Sequence, residues 1–261
     1  MEQNSGQLCG KHALVTGGGK GIGLAIARAL LQQGAFVTIS GRDASTLLSA
    51  QAQLQSLGQI TVVEMDVADP ASVKRAFDQA QSVDGLISIL VNNAGQAGSA
   101  PFLKTGPDLW QQMLAVNLSG TFHCTQQALP GMLAQGWGRI VNVASSAALT
   151  GYAYVSAYCA AKHGVLGLTR ALALEVASKG ITVNAVCPGY TETDIVAEAV
   201  QNIMAKTGRN EAQARAELAA GNPQKRLIQP EEVAQAVAWL CQPGSSAING
   251  QAIAVAGGEI M

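Results

Sequence analysis

A tyrosine and a lysine lie four residues apart at Tyr158 and Lys162, in the segment Tyr-Cys-Ala-Ala-Lys. On a helix, residues at this spacing share one face, so the phenol and the ammonium group would be neighbours. A free phenol titrates near a pH of about 10. Because a nearby cation stabilises the phenolate, we expect Lys162 to lower the pKa of Tyr158, so that the phenol exchanges a proton near neutral pH. Such pairs are common on helices, and the chemistry depends on the surrounding elements.

A glycine-rich turn stands between a predicted strand at residues 12–16 and a predicted helix at residues 23–34. Glycines permit a tight turn and a close approach of the backbone to a pyrophosphate, while the helix N-terminus supplies free N–H groups. The position between strand and helix predicts a dinucleotide site, and no Gly-Lys-Ser/Thr ending indicates an ATPase phosphate loop. The predicted cofactor-binding residues of this turn are Gly17, Gly19, Lys20, Gly21, Ile22 and Gly23.

The end of the second predicted strand indicates which dinucleotide is bound. An Asp or Glu there would accept hydrogen bonds from both ribose hydroxyls and disfavour a 2′-phosphate. This chain instead has Arg42, whose planar guanidinium group can pair with a 2′-phosphate, and Lys20 could add a second positive charge. We therefore predict NADP(H) over NAD(H). Asp43 leaves the NAD(H) alternative open, because it follows Arg42 directly and could reach the ribose.

Seven short, nearly all-apolar segments alternate with longer helix-type segments along the chain. Such segments are typical of a parallel sheet that helices cover on both faces. We predict a single doubly wound α/β (Rossmann) domain over residues 1–261, with a seven-stranded parallel sheet. The polar segment at residues 195–226 breaks the alternation. It is either a lid over a substrate site or a solvated helical excursion.

The composition excludes several classes of protein. Charged residues make up 13% of the chain and the net charge is −1, so nothing predicts binding to nucleic acid or to an anionic membrane. No apolar run could span a bilayer and the first residues lack a signal-peptide pattern, so we expect a cytoplasmic protein. The five cysteines and three histidines show no metal-ligand spacing. We predict no metal and free, buried thiols.

Five motifs, in order and at matching intervals, resemble those of the short-chain dehydrogenase/reductase family over residues 11 to about 258. They are the glycine-rich turn, Asn92-Asn93-Ala94-Gly95 after the fourth strand, Asn117, Ser145 thirteen positions before Tyr158, and Pro188-Gly189 followed by Thr193. The resemblance implies the doubly wound fold and a nicotinamide dinucleotide as cofactor. It also implies a role for each matching residue.

The resemblance implies a catalytic group of Asn117, Ser145, Tyr158 and Lys162. Tyr158 would give a proton to a carbonyl oxygen as hydride arrives from the nicotinamide, and Ser145 would orient that oxygen. Lys162 would bond the nicotinamide ribose, and Asn117 would hold a water that links Lys162 to solvent. Ser146 is the alternative serine, and the spacing to Tyr158 favours Ser145.

The resemblance also implies contacts to the dinucleotide. Asp66 and Val67 would contact the adenine. Asn93 would contact the adenosine-side ribose or nearby backbone, and Thr193 the carboxamide or a phosphate. Outside the glycine turn, the implied cofactor-binding residues are Arg42, Asp66, Val67, Asn93, Ala94, Gly95, Tyr158, Lys162, Pro188, Gly189 and Thr193.

Within the family, residues 182–189, 226–233 and 250–258 resemble those of 3-oxoacyl and polyketide ketoreductases. The expected reaction interconverts a ketone, such as a 3-oxoacyl thioester, and a secondary alcohol. One alternative is an NAD-dependent dehydrogenase of a secondary alcohol, steroid or polyol. A remoter one is a non-catalytic dinucleotide-binding regulatory protein, which would be free to lose the four catalytic residues.

Three further expectations concern the surface. The basic residues of residues 195–226 either meet the phosphates of a thioester carrier or are ordinary surface charges. Tyr152 and Tyr154 either line the mouth of the substrate site or simply pack. The resemblance implies a homotetramer that uses the helices around Phe122 and Leu166 and the C-terminal strand.

Overall fold

Seven parallel strands form one sheet that draws on most of the chain. The computed structural model describes residues 6–260; residues 1–5 and 261, which the single-domain prediction includes, lie outside this description. The strands are β1 (His12–Thr16), β2 (Phe36–Gly41), β3 (Ile60–Glu64), β4 (Ile89–Asn92), β5 (Gly138–Val143), β6 (Ile181–Pro188) and β7 (Ala252–Val255). Their order across the sheet is β3-β2-β1-β4-β5-β6-β7.

Nine α-helices lie within the described residues. They are α1 (Gly21–Gln32), α2 (Ala44–Leu54), α3 (Pro70–Asp84), α4 (Pro107–Leu114), α5 (Gly120–Gln135), α6 (Ser156–Val176), α7 (Asp194–Thr207), α8 (Glu211–Ala219) and α9 (Pro230–Cys241). No helix in this part of the chain is both long and apolar enough to cross a membrane.

Both faces of the sheet are covered, which explains why most strand residues are apolar. Neighbouring residues of β1 point in opposite directions: Val15 packs in a cluster with residues of α1 and α9, whereas Leu14 packs in a cluster with residues of α3, α5 and α6. Every residue of β1, β5 and β6 is buried. The predicted doubly wound, seven-stranded parallel sheet is therefore confirmed.

The strand order reverses between β1 and β4, and this reversal places the site. The chain builds outward from β1 to β3 and then crosses back, through α3, to β4 on the other side of β1. In such sheets a crevice opens at the carboxyl ends of the strands where the order reverses. The glycine turn after β1 and the Asn-Asn-Ala-Gly segment after β4 both lie there.

The segment at residues 195–226 is a packed helical pair and not an irregular loop. It holds most of α7 and all of α8, and its apolar residues share a small core with Leu227. Gly208, in the left-handed conformation, ends α7, and Asn210 begins α8 with a capping box to Gln213 that satisfies the first N–H groups of that helix.

One expectation about burial is wrong in part, and one helix face needs a closer description. On α6, one of the helices expected at a subunit interface, Leu166 itself is 3% exposed and packs with Val165 and Ala185 inside its own chain, whereas Leu174 is 83% exposed. The cysteines are free, but only some are buried: Cys9 is exposed and Cys159 half-buried, whereas Cys124, Cys187 and Cys241 are buried. An i to i+4 pattern identifies an apolar helix face but does not say whether the chain itself or a partner covers it.

Candidate active site

The glycine turn leaves room for backbone alone. Gly17 and Gly21 have φ values of +64° and +53°, in the left-handed region that favours glycine. A Cβ added at Gly23 would lie 2.1 Å from the carbonyl oxygen of Gly17, so no larger residue fits. Lys20 precedes α1 without a side-chain cap, which leaves the first N–H groups of that helix free. This cradle fits the pyrophosphate of a dinucleotide.

Asn93 fastens this turn to the end of β4. Its side-chain amide donates to the carbonyl oxygens of Thr16 (2.9 Å) and Gly17 (3.2 Å). In return, Thr16 Oγ1 accepts hydrogen bonds from the backbone N–H groups of Asn93 and Ala94, each at 2.9 Å. Of the two contacts expected for Asn93, the structure therefore has the one to nearby backbone.

The carboxylate of Asp43 caps a helix. It caps α2, accepting hydrogen bonds from the Ser45 hydroxyl and from the Thr46 N–H, both at 2.6 Å. These bonds lower the pKa of Asp43 to about 2. Arg42 is exposed at the end of β2. Asp43 therefore has a structural role as the cap of α2, whereas Arg42 is exposed directly after β2.

Asp66 and Val67 shape the loop after β3. Asp66 Oδ1 accepts a hydrogen bond of 2.9 Å from the N–H of Ala68. Val67 is buried against Gly120, where an added Cβ would lie 2.8 Å from Val67 Cγ2. The Val67 carbonyl oxygen lies 3.1 Å from Nδ1 of His123, to which the sequence assigned no role. His123 thus holds this loop in place.

Lys20 is paired with the start of α7. Its Nζ lies 2.7 Å from Oδ2 of Asp194, and both side chains are about two-thirds exposed. Beside this pair, the methyl group of Thr193 would lie 3.2 Å from a Cβ added at Gly21. The predicted cofactor residues Lys20 and Thr193 therefore meet over the glycine turn, and the second positive charge expected for a 2′-phosphate is engaged with a carboxylate.

The predicted tyrosine and lysine do share one face of α6. Lys162 Nζ lies 5.7 Å from the centre of the Tyr158 ring. The lysine is 5% exposed, and its ammonium group donates a hydrogen bond of 2.9 Å to the carbonyl oxygen of Val143 at the end of β5. Burial lowers the pKa of Lys162 to about 8, because desolvation disfavours the charged form.

The expected lowering of the pKa of Tyr158 is wrong in this structure. Burial of the phenol raises its pKa above the ordinary value, and the neighbouring Ser145 side chain opposes that increase. The physical reason is that enclosure penalises the phenolate, while the Lys162 ammonium is bonded to Val143 instead of the phenol. Tyr158 is therefore a well-protonated acid here, with Ser145 as its polar neighbour.

The two adjacent serines are used differently. Ser145 accepts a hydrogen bond of 3.1 Å from the N–H of Ala147 and lies beside Tyr158, where it opposes the increase of the phenol pKa caused by burial. Ser146 is turned away, with its Oγ 2.9 Å from the hydroxyl of Tyr152. The geometry thus agrees with the choice of Ser145 from the spacing.

Asn117 lies in a π-helical turn, residues 115–119, that joins α4 to α5. Its Nδ2 donates to the carbonyl oxygens of Gln96 and Met113, both at 3.0 Å, and its Oδ1 accepts from the Gln96 N–H at 3.2 Å. A Cβ added at Gly95 would lie 2.9 Å from Asn117 Oδ1 and 3.6 Å from Lys162 Nζ. Gly95 therefore separates the amide from the ammonium group, and π-helical turns of this kind often mark functional sites.

Three groups that help to form the site were not predicted from the sequence. The Val143 carbonyl holds Lys162, and Gln96 holds Asn117, but both act through backbone atoms that have no signature in the sequence. Glu259 lies 107 residues from Tyr152 and accepts a hydrogen bond of 2.6 Å from the Tyr152 hydroxyl.

Tyr154, the other tyrosine expected either to line the substrate mouth or to pack, is 67% exposed and has a left-handed φ of +68°. Its carbonyl oxygen accepts a hydrogen bond from Ala100 in the loop after β4.

Comparison with known proteins agrees with this arrangement. Residues 11–203 match the family model described as short chain dehydrogenase. The chain is a member of the short-chain dehydrogenase family. Members of this family are oxidoreductases that bind a nicotinamide dinucleotide, so the family predicted from the motifs is confirmed.

Individual relatives extend over nearly the whole chain. The chain is 40% identical to D-beta-hydroxybutyrate dehydrogenase of Cupriavidus necator, over 93% of this chain and 95% of that protein. It is 37% identical to the 3-oxoacyl-acyl-carrier-protein reductase of Aquifex aeolicus, over 97% and 98%. A crystal structure of a single-residue variant of actinorhodin polyketide ketoreductase with NADPH superimposes with a TM-score of 0.92 at 38% identity, covering 95% of this chain and 97% of that one.

Proposed function

We propose that this member of the short-chain dehydrogenase family is an NADP(H)-dependent reductase that converts a ketone to a secondary alcohol, with Tyr158 as the proton donor. The observation that carries the proposal is the meeting of Tyr158, Ser145 and Lys162 at the carboxyl ends of the central strands, beside the glycine turn. The proposal places one position in the crevice among three groups: the acidic phenol of Tyr158, the orienting hydroxyl of Ser145 and the buried ammonium group of Lys162.

Each of the four predicted catalytic residues has its own role in the proposed reaction. When bound, the dinucleotide supplies the hydride. The Ser145 hydroxyl hydrogen-bonds the carbonyl oxygen and fixes its position, and the protonated Tyr158 phenol donates to the same oxygen as negative charge develops on it. Lys162, whose pKa of about 8 keeps it charged at neutral pH, stabilises the phenolate that remains. Asn117, beyond Gly95, completes the path by which Tyr158 regains its proton through a water.

The preference for NADP(H) rests on the second strand. Arg42 is exposed at the end of β2, while the neighbouring Asp43 is committed to the cap of α2. An arginine there favours the 2′-phosphate, and a carboxylate turned into a helix cap no longer disfavours it. The relative crystallised with NADPH supports the same choice. NAD(H) remains the second candidate cofactor.

The substrate class follows from the relatives and from the geometry together. Two of the relatives are named as ketoreductases or 3-oxoacyl reductases, and we infer a ketone such as a 3-oxoacyl thioester for this chain. The helical pair at residues 195–226 begins beside the glycine turn, which supports a role as a substrate lid.

We also infer a homotetramer. Phe122 on α5 and Leu174 on α6 are 46% and 83% exposed, and β7 is an edge strand that pairs with β6 alone in the described sheet. Exposed apolar helix faces and an open sheet edge are surfaces that a second copy of the chain would cover.

Replacing Tyr158 tests the mechanism. Tyr158→Phe keeps the ring and removes the proton, so kcat should fall by about 10²-fold or more while the Kd for NADPH changes by less than about threefold. Turnover is read from NADPH absorbance with ketones, 3-oxoacyl thioesters, quinones and steroids. Tyr154→Phe, at an exposed tyrosine, is the matched control and should leave kcat unchanged. Undiminished turnover in Tyr158→Phe would remove the mechanism, and the non-catalytic alternative predicts no turnover in any variant.

A further inference from the structure

The last described turn of the chain brings a carboxylate into the catalytic cleft. After β7, Gly257 and Gly258 have φ values of +60° and +89°, which bend the chain back on itself. Asn222 and Pro223 close over these glycines, since a Cβ at Gly257 would lie 2.3 Å from Asn222 Oδ1 and one at Gly258 would lie 3.3 Å from Pro223 Cγ. Side chains are excluded at both positions, so the path that leads to Glu259 is specified by glycine.

Glu259 then touches three sides of the cleft. Its Oε1 accepts a hydrogen bond of 2.6 Å from Tyr152, in the loop after β5. Its Oε2 would lie 3.0 Å from a Cβ added at Gly189, at the end of β6, and its Oε1 would lie 3.6 Å from a Cβ added at Gly221, in the segment that follows α8. The carboxylate thus lies where the loop after β5, the end of β6 and the segment after α8 meet.

The carboxylate is also close to the reacting groups. The Tyr152 hydroxyl that bonds Glu259 lies 2.9 Å from Oγ of Ser146, the residue next to Ser145. The Tyr152 ring meets the edge of Tyr190 with ring centres 6.4 Å apart, and Tyr190 is near enough to Tyr158 to raise its pKa. Two aromatic side chains, Tyr152 and Tyr190, therefore connect Glu259 to the catalytic phenol.

This charge is not neutralised within the described chain. No lysine, arginine or histidine of residues 6–260 forms a salt bridge with Glu259. Its single side-chain hydrogen bond within that range comes from the neutral Tyr152, and Oε2 lies beside Gly189 at the end of β6. A fixed negative charge in a half-buried site repels a second one strongly, because the local dielectric screens less than water does.

We propose that Glu259 is a specificity-determining residue that excludes carbonyl compounds bearing a free carboxylate and admits neutral ones, such as esters, thioesters and simple ketones. The proposal rests on the proposed function and narrows its substrate class. The proposal predicts that the enzyme rejects a 3-oxo acid and accepts the ester of that acid, although the two compounds have the same reacting carbonyl.

The test compares acetoacetate with ethyl acetoacetate in the full-length protein. Glu259→Gln keeps the size of the side chain and its acceptor for Tyr152 but removes the charge. The wild type should prefer the ester in kcat/KM. Glu259→Gln should raise kcat/KM for acetoacetate by about tenfold or more, through KM, and change that for the ester by less than about threefold. Glu175→Gln, at an exposed residue in the last turns of α6, is the control and should change neither value.

Failure of this proposal is separable from failure of the proposed function. If the wild type uses acetoacetate as well as the ester, or if Glu259→Gln leaves the ratio of the two unchanged, Glu259 does not set specificity. Absence of reduction of every carbonyl compound would instead overturn the proposed function. Even then, calorimetric titration of the NADPH-saturated protein with acetoacetate decides the role of Glu259, since equal affinity in the wild type and Glu259→Gln would overturn it.

Discussion

The buried lysine of the catalytic cleft should reduce the stability of the protein at neutral pH. Lys162 is 5% exposed, and burial lowers its pKa from an ordinary value of 10.5 to about 8. The unfolded chain therefore binds the proton more strongly than the folded one. The cost to stability is fully present below a pH of about 8, declines as the pH rises from 8 to 10.5, and disappears above that.

The magnitude follows from the two pKa values. At about 1.4 kcal/mol for each pH unit, holding the protonated lysine in the folded protein costs about 3 kcal/mol at pH 7. Lys162→Met removes this cost but leaves the Val143 carbonyl without its donor, which costs about 1–3 kcal/mol. We expect a variant that is inactive yet about 1 kcal/mol more stable than the wild type at pH 7. By pH 10 the same variant should be the less stable protein, because about 2–3 kcal/mol of its advantage is gone.

Urea unfolding at pH 7 and pH 10, followed by tryptophan fluorescence at one protein concentration, measures this change. Lys179→Met removes an exposed lysine and is the matched control, with an expected effect within about 0.5 kcal/mol at both pH values. The reasoning would be refuted if the stability advantage of Lys162→Met over the wild type were the same at both pH values, or if that advantage increased at pH 10.

Two further substitutions test the arrangement of the site. Gly95→Ala places a methyl group 2.9 Å from Asn117 Oδ1, so kcat should fall by about tenfold or more while NADPH still binds. Gly244→Ala is the control, because an added methyl group there faces open space and should have no effect on kcat. If Gly95→Ala and the wild type have equal kcat values in the steady-state assay, Gly95 is not needed for the arrangement of the site. Arg42→Ala should weaken NADPH binding by about tenfold or more in a fluorescence titration while NADH binding changes little, because charge-assisted hydrogen bonds are worth about 1.5–3 kcal/mol. Asp43→Asn keeps the cap of α2 and should not change this preference; a large gain in NADPH affinity would instead show that Asp43 faces the ribose.

The parts of the fold that depend on local pattern were predictable. A strand buried on both faces is mostly apolar, and the sequence predicts all seven strands to within a few residues of their ends. The glycine turn and the four-residue spacing of Tyr158 and Lys162 are likewise local, and both have the predicted geometry. Such features are determined by backbone sterics and helix periodicity, which can be read from neighbouring residues.

The parts that depend on distant packing were not predictable. The pKa of Tyr158 is raised because surrounding elements enclose the phenol, and a helix sequence does not record that enclosure. The apolar character of Leu166 did not distinguish burial in its own chain from burial by a partner. Asp43 could have served the ribose or a helix cap, and the position of Thr46 at the start of α2 decided for the cap. Glu259 became part of the cleft only because residues 107 positions apart meet.

The contact between Lys20 and Asp194 ties the region that accepts the cofactor to the helical pair that borders the substrate position. A phosphate that draws Lys20 to itself releases Asp194, and the first turn of α7 then loses one of its attachments to the glycine turn. By reciprocity, any ligand that moves α7 alters the affinity of Lys20 for that phosphate to the same extent. If the proposed cofactor phosphate and substrate bind at these two places, this exposed ion pair would couple their affinities, and raising the ionic strength should weaken the coupling.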